Sequence, residues 1–266
     1  MISKESVIND LKEVRSRSPL VHNITNYVVM NNTANALLAV GASPVMAHAV
    51  DEVEDMVKIA SSLVINIGTL SKPWVESMIR AGKAANKKGI PVVLDPVGAG
   101  ATLYRTETSL QIIKECSPAV IRGNASEIMA LVNEKGNTKG VDSIASSESA
   151  LNAAKFLAKD TGAVIVISGP VDYIVDNQHV IQVRNGSPMM GKVTGLGCTA
   201  TALVGAFVAV NKNFLLASAH AMAVMGIVGE LAAKKSSGPG TMQMHFLDEL
   251  YKLSNKEISS CFKAEL

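Results

Sequence analysis

The sequence predicts an α/β fold in which helices cover both faces of one mostly parallel central sheet, and three observations predict it. Short apolar runs alternate with helical stretches of ordinary length along most of the chain, the pattern of strands joined by crossover helices. Hydrophobic residues make up 48% of the 266 residues but aromatics only 4%, so the core is built from Ala, Val, Ile, Leu and Met. No linker-like stretch, repeat or low-complexity segment breaks the pattern, so residues 1–266 read as a single domain.

The elements follow in order. Residues 3–17 form an amphipathic opening helix, and 19–26 a short strand running into a polar loop. Asn26 or Asn31 is placed to cap the next helix, whose Ala/Leu face runs to Val40 before Gly41 ends it. Residues 43–48 are a strand with a polar exit. Helix 52–61, strand 63–67, helix 72–88 and strand 91–94 come next, then strand 119–121 and helix 125–132. Residues 134–147 are polar and read as loop. Helix 148–159 leads to strand 163–167, and runs 173–176 and 179–183 flank a turn at Asn177-Gln178, a hairpin pattern. From Cys198 onward the chain reads as helical.

Open parallel sheets bind ligands beyond the carboxyl ends of their strands. The residues that stop the strands are therefore site candidates: Asn23, then Met46 and His48, Asn66 and Gly68, Asp95, Arg122 and Asn124, and Ser168 and Gly169.

Composition excludes several classes. A formal charge of +2 offers no electrostatic case for nucleic acid or an acidic membrane. The three cysteines, Cys116, Cys198 and Cys261, are far apart and odd in number, and the first residues lack a secretory pattern. These features point to free thiols in the cytoplasm. The most apolar helical stretch, 214–233, holds His220 and Glu230 among many small residues and reads as a buried helix rather than a membrane span.

The chain is organised around Val193-Thr194-Gly195-Leu196-Gly197-Cys198-Thr199-Ala200. Two glycines precede a long apolar run, 199–210, that reads as a helix starting at or near Cys198. Glycines there let the backbone bend and approach a ligand, and the first helical turn offers unpaired N–H groups and a positive dipole end. Gly195, Leu196, Gly197 and Cys198 thus make a candidate anion hole for a phosphate. The same field favours the Cys198 thiolate. A plain glycine turn capping a buried helix is one alternative. A dinucleotide fingerprint at Gly195-x-Gly197-x-x-Ala200 is another, but no apolar strand precedes it and no acid lies between Asn213 and Gly229. The rest of the chain favours phosphate transfer.

Asp95 ends an apolar strand and enters a glycine-rich turn through Gly98 and Gly100, so it reads either as an Asp-Pro turn residue or as an acid holding Mg²⁺ through water near phosphate oxygens. Asn124 and Glu127 have capping-box spacing, and Glu127 at a helix start is also placed to orient Mg²⁺ or its waters. Arg122 is a phosphate partner through its planar donor fork, or a surface arginine. The five histidines lack metal-ligand spacing, which argues against zinc, and His220 reads as a hydrogen-bonded core residue. Ser168 sits outside any G-x-S-x-G elbow, so serine hydrolase chemistry has little support.

Taken together, Val21-His22-Asn23-Ile24-Thr25-Asn26, residues 41–47, Leu94 to Gly100, Ile121 to Glu127 and Thr194 to Cys198 resemble hydroxyethylthiazole kinases of the thiamine pathway, in order and over nearly the whole chain. The resemblance implies a ribokinase-like fold and ATP-dependent phosphorylation of 4-methyl-5-(2-hydroxyethyl)thiazole with Mg²⁺. It also implies a homotrimer with active sites between subunits. By position, it implies that Asn23, Met46 and Gly195 contact the thiazole, Arg122 and Ser168 contact ATP, Asp95 and Glu127 surround Mg²⁺, and Cys198 is the catalytic residue. Ribokinase-like enzymes commonly carry Asp where this chain has Cys198, whereas cysteine fits thiazole kinases and some hydroxymethylpyrimidine kinases. The rival readings are a hydroxymethylpyrimidine or other small-alcohol kinase of the same fold, a nicotinamide-dependent oxidoreductase, and a non-catalytic sensor.

Overall fold

A computed structural model of the chain describes residues 2–133 and 147–265. The elements are α1 (Lys4–Arg17), β1 (Leu20–Ile24), α2 (Met30–Val40), β2 (Ser43–Val45), α3 (Val53–Ile59), β3 (Ser62–Asn66), α4 (Lys72–Lys88), β4 (Val92–Asp95), α5 (Leu103–Cys116), β5 (Val120–Asn124), α6 (Ala125–Asn133), α7 (Ser147–Thr161), β6 (Val164–Ser168), β7 (Asp172–Val175), β8 (Val180–Val183), α8 (Leu196–Val210), α9 (Phe214–Lys235), α10 (Pro239–Lys252), α11 (Asn255–Cys261) and β9 (Ala264–Glu265). The strands form one sheet in the order β2-β1-β3-β4-β5-β6-β7-β8-β9. The pairings from β2 through β6 are parallel and the last three are antiparallel.

Strand side chains alternate between two cores, as the pleat requires. Val21, Val64, Val93, Val120, Val164 and Val166 pack against α1, α2, α8, α9 and α10. Ile24, Ile65, Leu94, Ile121 and Ile165 pack against α3 to α7. The α/β sandwich expected from the sequence is therefore present. α8 is buried almost all round and lies across the middle of the sheet. Its Gly205 permits the close approach, since a Cβ there would stand 2.5 Å from Val64. α9 is long and apolar enough to cross a membrane, but 78% of that window is buried inside the protein, as the sequence reading expected.

Several expectations are corrected. α5 corresponds to no element read from the sequence; Thr102 caps it by accepting from Arg105 N. Arg105, in its first turn, donates to the carbonyls of Ile67, Gly68 and Val97, fastening the turns that leave β3 and β4. The C-terminal region is not wholly helical, because β9 closes the sheet beside β8. Neither Asn26 nor Asn31 caps α2, whose N-cap is Val29 with no side-chain bond. Asn23, Asn66, Asp95, Arg122, Asn124 and Ser168 lie within their strands rather than beyond them, because the ladder continues under polar side chains. The loop expected at 134–147 falls, but for Ser147, outside the described residues. The hairpin is as expected: Asp176 Oδ1 accepts from Gln178 N and His179 N at 2.8 and 2.6 Å and sets its turn. His220 is a bonded core histidine, between Asp10 (2.6 Å) and Ser6 (3.0 Å).

Candidate active site

The glycine turn opens α8 two residues earlier than the sequence suggests. Gly195 is the N-cap at φ 89°, and a Cβ there would stand 2.9 Å from Val29 Cγ1, so only glycine serves. The first backbone bond within the helix runs from Thr199 N to Gly195 O at 2.8 Å. The amides of Leu196, Gly197 and Cys198 therefore have no helical acceptor and, among the described residues, stand free at the positive end of a buried helix.

Beside this turn is a cleft of about 490 Å³, lined among others by Arg122, Ser168, Asp172, Leu196, Gly197 and Gly226. Sheet register explains its polar wall. Arg122 pairs with Val166 and Asn124 with Ser168, so Arg122 and Ser168 share a face. Ile167 pairs with Tyr173 across the antiparallel step, which brings Asp172 opposite Ser168 on that face. Arg122 donates to Ser168 Oγ at 2.6 Å and is 8% exposed, while its Nε has no partner among the described residues. A Cβ on Gly197 would lie 3.1 Å from the guanidinium, so the helix start and the arginine face the same space. Asp172 was not singled out from the sequence. Burial pushes its carboxyl up to about 6 against the pull of the Gly169 amide and Arg122.

Behind the turn runs a buried polar chain. Thr201 Oγ1 donates to Asp95 Oδ2 at 2.7 Å, and Asn66 Nδ2 donates to the same oxygen at 2.9 Å. Asn26 Nδ2 donates to Asn66 Oδ1 at 2.8 Å and lies 3.5 Å from Cys198 Sγ. Asp95 is thus not spent on capping the turn that follows it. Burial drives its carboxyl up to about 6, opposed chiefly by Arg122 and Thr201. Asn26 and Thr201 escaped the sequence reading. In sequence Asn26 is placed as a helix cap, and Thr201 sits inside an apolar run.

Glu127 realises the capping box: its amide donates to Asn124 Oδ1 at 2.9 Å while its Oε2 accepts from Asn124 N at 2.8 Å. Its other oxygen accepts from Gly98 N at 2.8 Å, tying the turn after β4 to the start of α6. Glu127 is also close enough to Asp95 to oppose its ionisation. Among the described residues no group of three His, Cys, Asp or Glu side chains could cage a metal. Two neighbouring carboxylates suit a hard divalent cation that keeps its waters and takes its remaining oxygens from phosphates.

One electrostatic expectation fails. The helix start does not yield a thiolate: burial, then the nearby Asp95, push the Cys198 thiol up to about 11, over the opposing pull of Asn66, Asn26 and Arg122. Cys198 is a neutral thiol at neutral pH.

Asn23 and Met46 lie on the other side of the turn, outside the cleft. Asn23 is buried, donates to Val21 O at 2.9 Å and leaves Oδ1 without a partner among the described residues. Met46 follows β2 and is half-buried. From β1 to β5 is three strand spacings, ~14 Å, so the candidates form two lobes with the glycine turn between them.

Comparison with known proteins gives the family and the fold. The sequence profile of the hydroxyethylthiazole kinase family matches residues 11–256. Hydroxyethylthiazole kinase from Syntrophus aciditrophicus is 57% identical over 259 residues, covering 97% of this chain and 96% of the relative. The solved structure of the hydroxyethylthiazole kinase protein from Pyrococcus horikoshii superposes with a TM-score of 0.92 at 44% identity, over 98% of both chains. A ribokinase-like superfamily protein from Enterococcus faecalis shares the fold at 15% identity, with a TM-score of 0.69 over 97% of this chain and 96% of that one.

Proposed function

The chain belongs to the hydroxyethylthiazole kinase family, and from that premise we propose how its residues carry the reaction. The enzyme is a phosphotransferase of ribokinase-like fold that uses ATP to phosphorylate the hydroxyl of 4-methyl-5-(2-hydroxyethyl)thiazole. Phosphoryl transfer runs through a loose transition state that asks mainly for alignment and charge neutralisation.

The observation that carries the reading is the set of amides at Leu196, Gly197 and Cys198 without a helical acceptor, in a turn that has the Arg122 guanidinium beside Gly197. These amides hold the transferring phosphoryl oxygens at the Gly195–Cys198 turn. Arg122, braced by Ser168, holds the nucleotide in the cleft. Asp95 and Glu127 would hold the divalent cation, which we assign as Mg²⁺ and which would supply neutralisation of phosphate charge. Asn23, Met46 and Gly195 line the thiazole side. Cys198, neutral, orients the attacking hydroxyl, whose proton leaves late. A strong base is not required.

The chain works as one kinase domain over residues 1–266, in the cytoplasm, where its three free cysteines are at home. The apolar side chains of Tyr27 and Val28 stand exposed in the loop that leaves β1, beside the thiazole lobe, which supports a homotrimer that closes the site between subunits. A substrate panel with labelled ATP tests the assignment. Label should pass to the thiazole alcohol in preference to hydroxymethylpyrimidine, and the reverse preference would overturn it.

A further inference from the structure

We propose that Asn26 is a positioning residue for phosphoryl transfer, acting through Cys198. The inference rests on Cys198 being the group that touches the alcohol.

The direction of the buried amide chain is fixed by the backbone. Val28 N donates to Asn26 Oδ1 at 3.1 Å, and Gly68 N donates to Asn66 Oδ1 at 2.9 Å. A backbone N–H can only donate, so each amide oxygen is pinned at that end. Asn26 Nδ2 is then the end that reaches Asn66 Oδ1 at 2.8 Å and Cys198 Sγ at 3.5 Å. Asn66 Nδ2 in turn reaches Asp95 at 2.9 Å. Neither amide can flip without leaving buried donors unpaired, for Asn26 is 4% and Asn66 1% exposed. Nor can Asn26 withdraw freely. It packs so closely on Gly68 that a Cβ there would stand 2.5 Å from Nδ2.

The sulfur is consequently an acceptor on the side facing Asn26, and its own proton is turned away from that amide. A thiol is a weak, loosely directional hydrogen-bonding group with a rotatable proton. One fixed donor removes that freedom, so the alcohol oxygen meets a sulfur of defined orientation. Alignment of this kind acts on the rate of the chemical step rather than on nucleotide affinity.

The test is a double-mutant cycle read in kcat and KM, on wild type, Asn26→Leu, Cys198→Ala and the double variant, with melting curves to check the fold. Asn26→Leu should lower kcat about tenfold, the equivalent of one lost hydrogen bond, with KM for ATP moved less than about twofold. In the Cys198→Ala background the same substitution should change kcat by less than about twofold, because the residue through which it acts is gone. Should Asn26→Leu fail to fold, Asn26→Asp keeps the size and the Val28 contact while removing the donor, and the same cycle applies. Effects that multiply would overturn the proposal and leave Asn26 as packing. A Cys198→Ala variant with wild-type kcat would instead overturn the reading of Cys198 on which it rests.

Discussion

Thr201 donates its hydroxyl to Asp95 Oδ2 at 2.7 Å, so the helix that begins with the glycine turn is fastened by its own side chain to the acid at the end of β4. The phosphate cradle and the cation-holding carboxylate are thereby fixed relative to each other. Thr201→Val keeps the shape and removes the donor. It should lower stability by ~1–3 kcal/mol, seen as a melting point several degrees lower. It should also reduce kcat, since Asp95 loses one of its two side-chain donors. An unchanged kcat would show that the fastening is structural only.

Asp95 itself is expected to trade stability for activity. Its folded carboxyl sits at about 6, above its ordinary 3.8, because burial disfavours the charge. The folded state therefore binds more protons than the unfolded state between pH 4 and 6, and stability falls as pH rises through that window. Fully ionised, the buried group costs ~3 kcal/mol. Asp95→Asn removes that penalty. Melted without nucleotide, the variant should gain on the wild type as pH rises from 4 through 6 and lie above it at pH 8, while turnover is lost. A difference in melting point that does not vary with pH would contradict this.

Gly197→Val should abolish turnover, by about a hundredfold or more, the scale of losing a preorganised oxyanion donor. The melting point should stay close to wild type, because the added side chain points at the end of the flexible Arg122, 3.1 Å away, rather than into the core. Full ATP-dependent activity in this variant would remove the anion hole from the account.

Cys198→Ser should impair turnover without abolishing it. The thiol stands at about 11, so no thiolate is present to be lost, and a hydroxyl can orient the alcohol in its place. The wild-type rate should accordingly show no rise assigned to a thiol between pH 7 and 9. A limb there that disappears in the serine variant would restore Cys198 as a base.

Much of this was legible in the residues. Strands β1 and β3 to β6 announce themselves because they carry aliphatic residues buried on both faces, and the glycine turn because Gly195 and Gly197 stand directly before an apolar helix. α5 was not legible: its face mixes Thr106, Thr108 and Ser109 with Ile112 and Ile113, and these buried hydroxyls disguise the apolar period. β9 spans two residues and exists only because β8 offers an edge. At the site, Asp95 was visible as a charge at a strand end, Arg122 as one beside a strand end and Glu127 as one at a helix start. Thr201 was hidden in an apolar run, Asp172 at the mouth of a hairpin and Asn26 behind its likeness to a helix cap. Their roles come from partners 40 to 172 residues away or from sheet register, which no local pattern encodes. The neutral thiol was missed for the same reason, since burial and a neighbouring acid outweigh the local field of the helix start.

The most direct measurement is a crystal structure with a non-hydrolysable ATP analogue and Mg²⁺. The γ-phosphate oxygens should lie about 3 Å from the amide nitrogens of Leu196, Gly197 and Cys198, with Arg122 turned onto the phosphates. A terminal phosphate held elsewhere, with those three amides facing only water, would contradict the account.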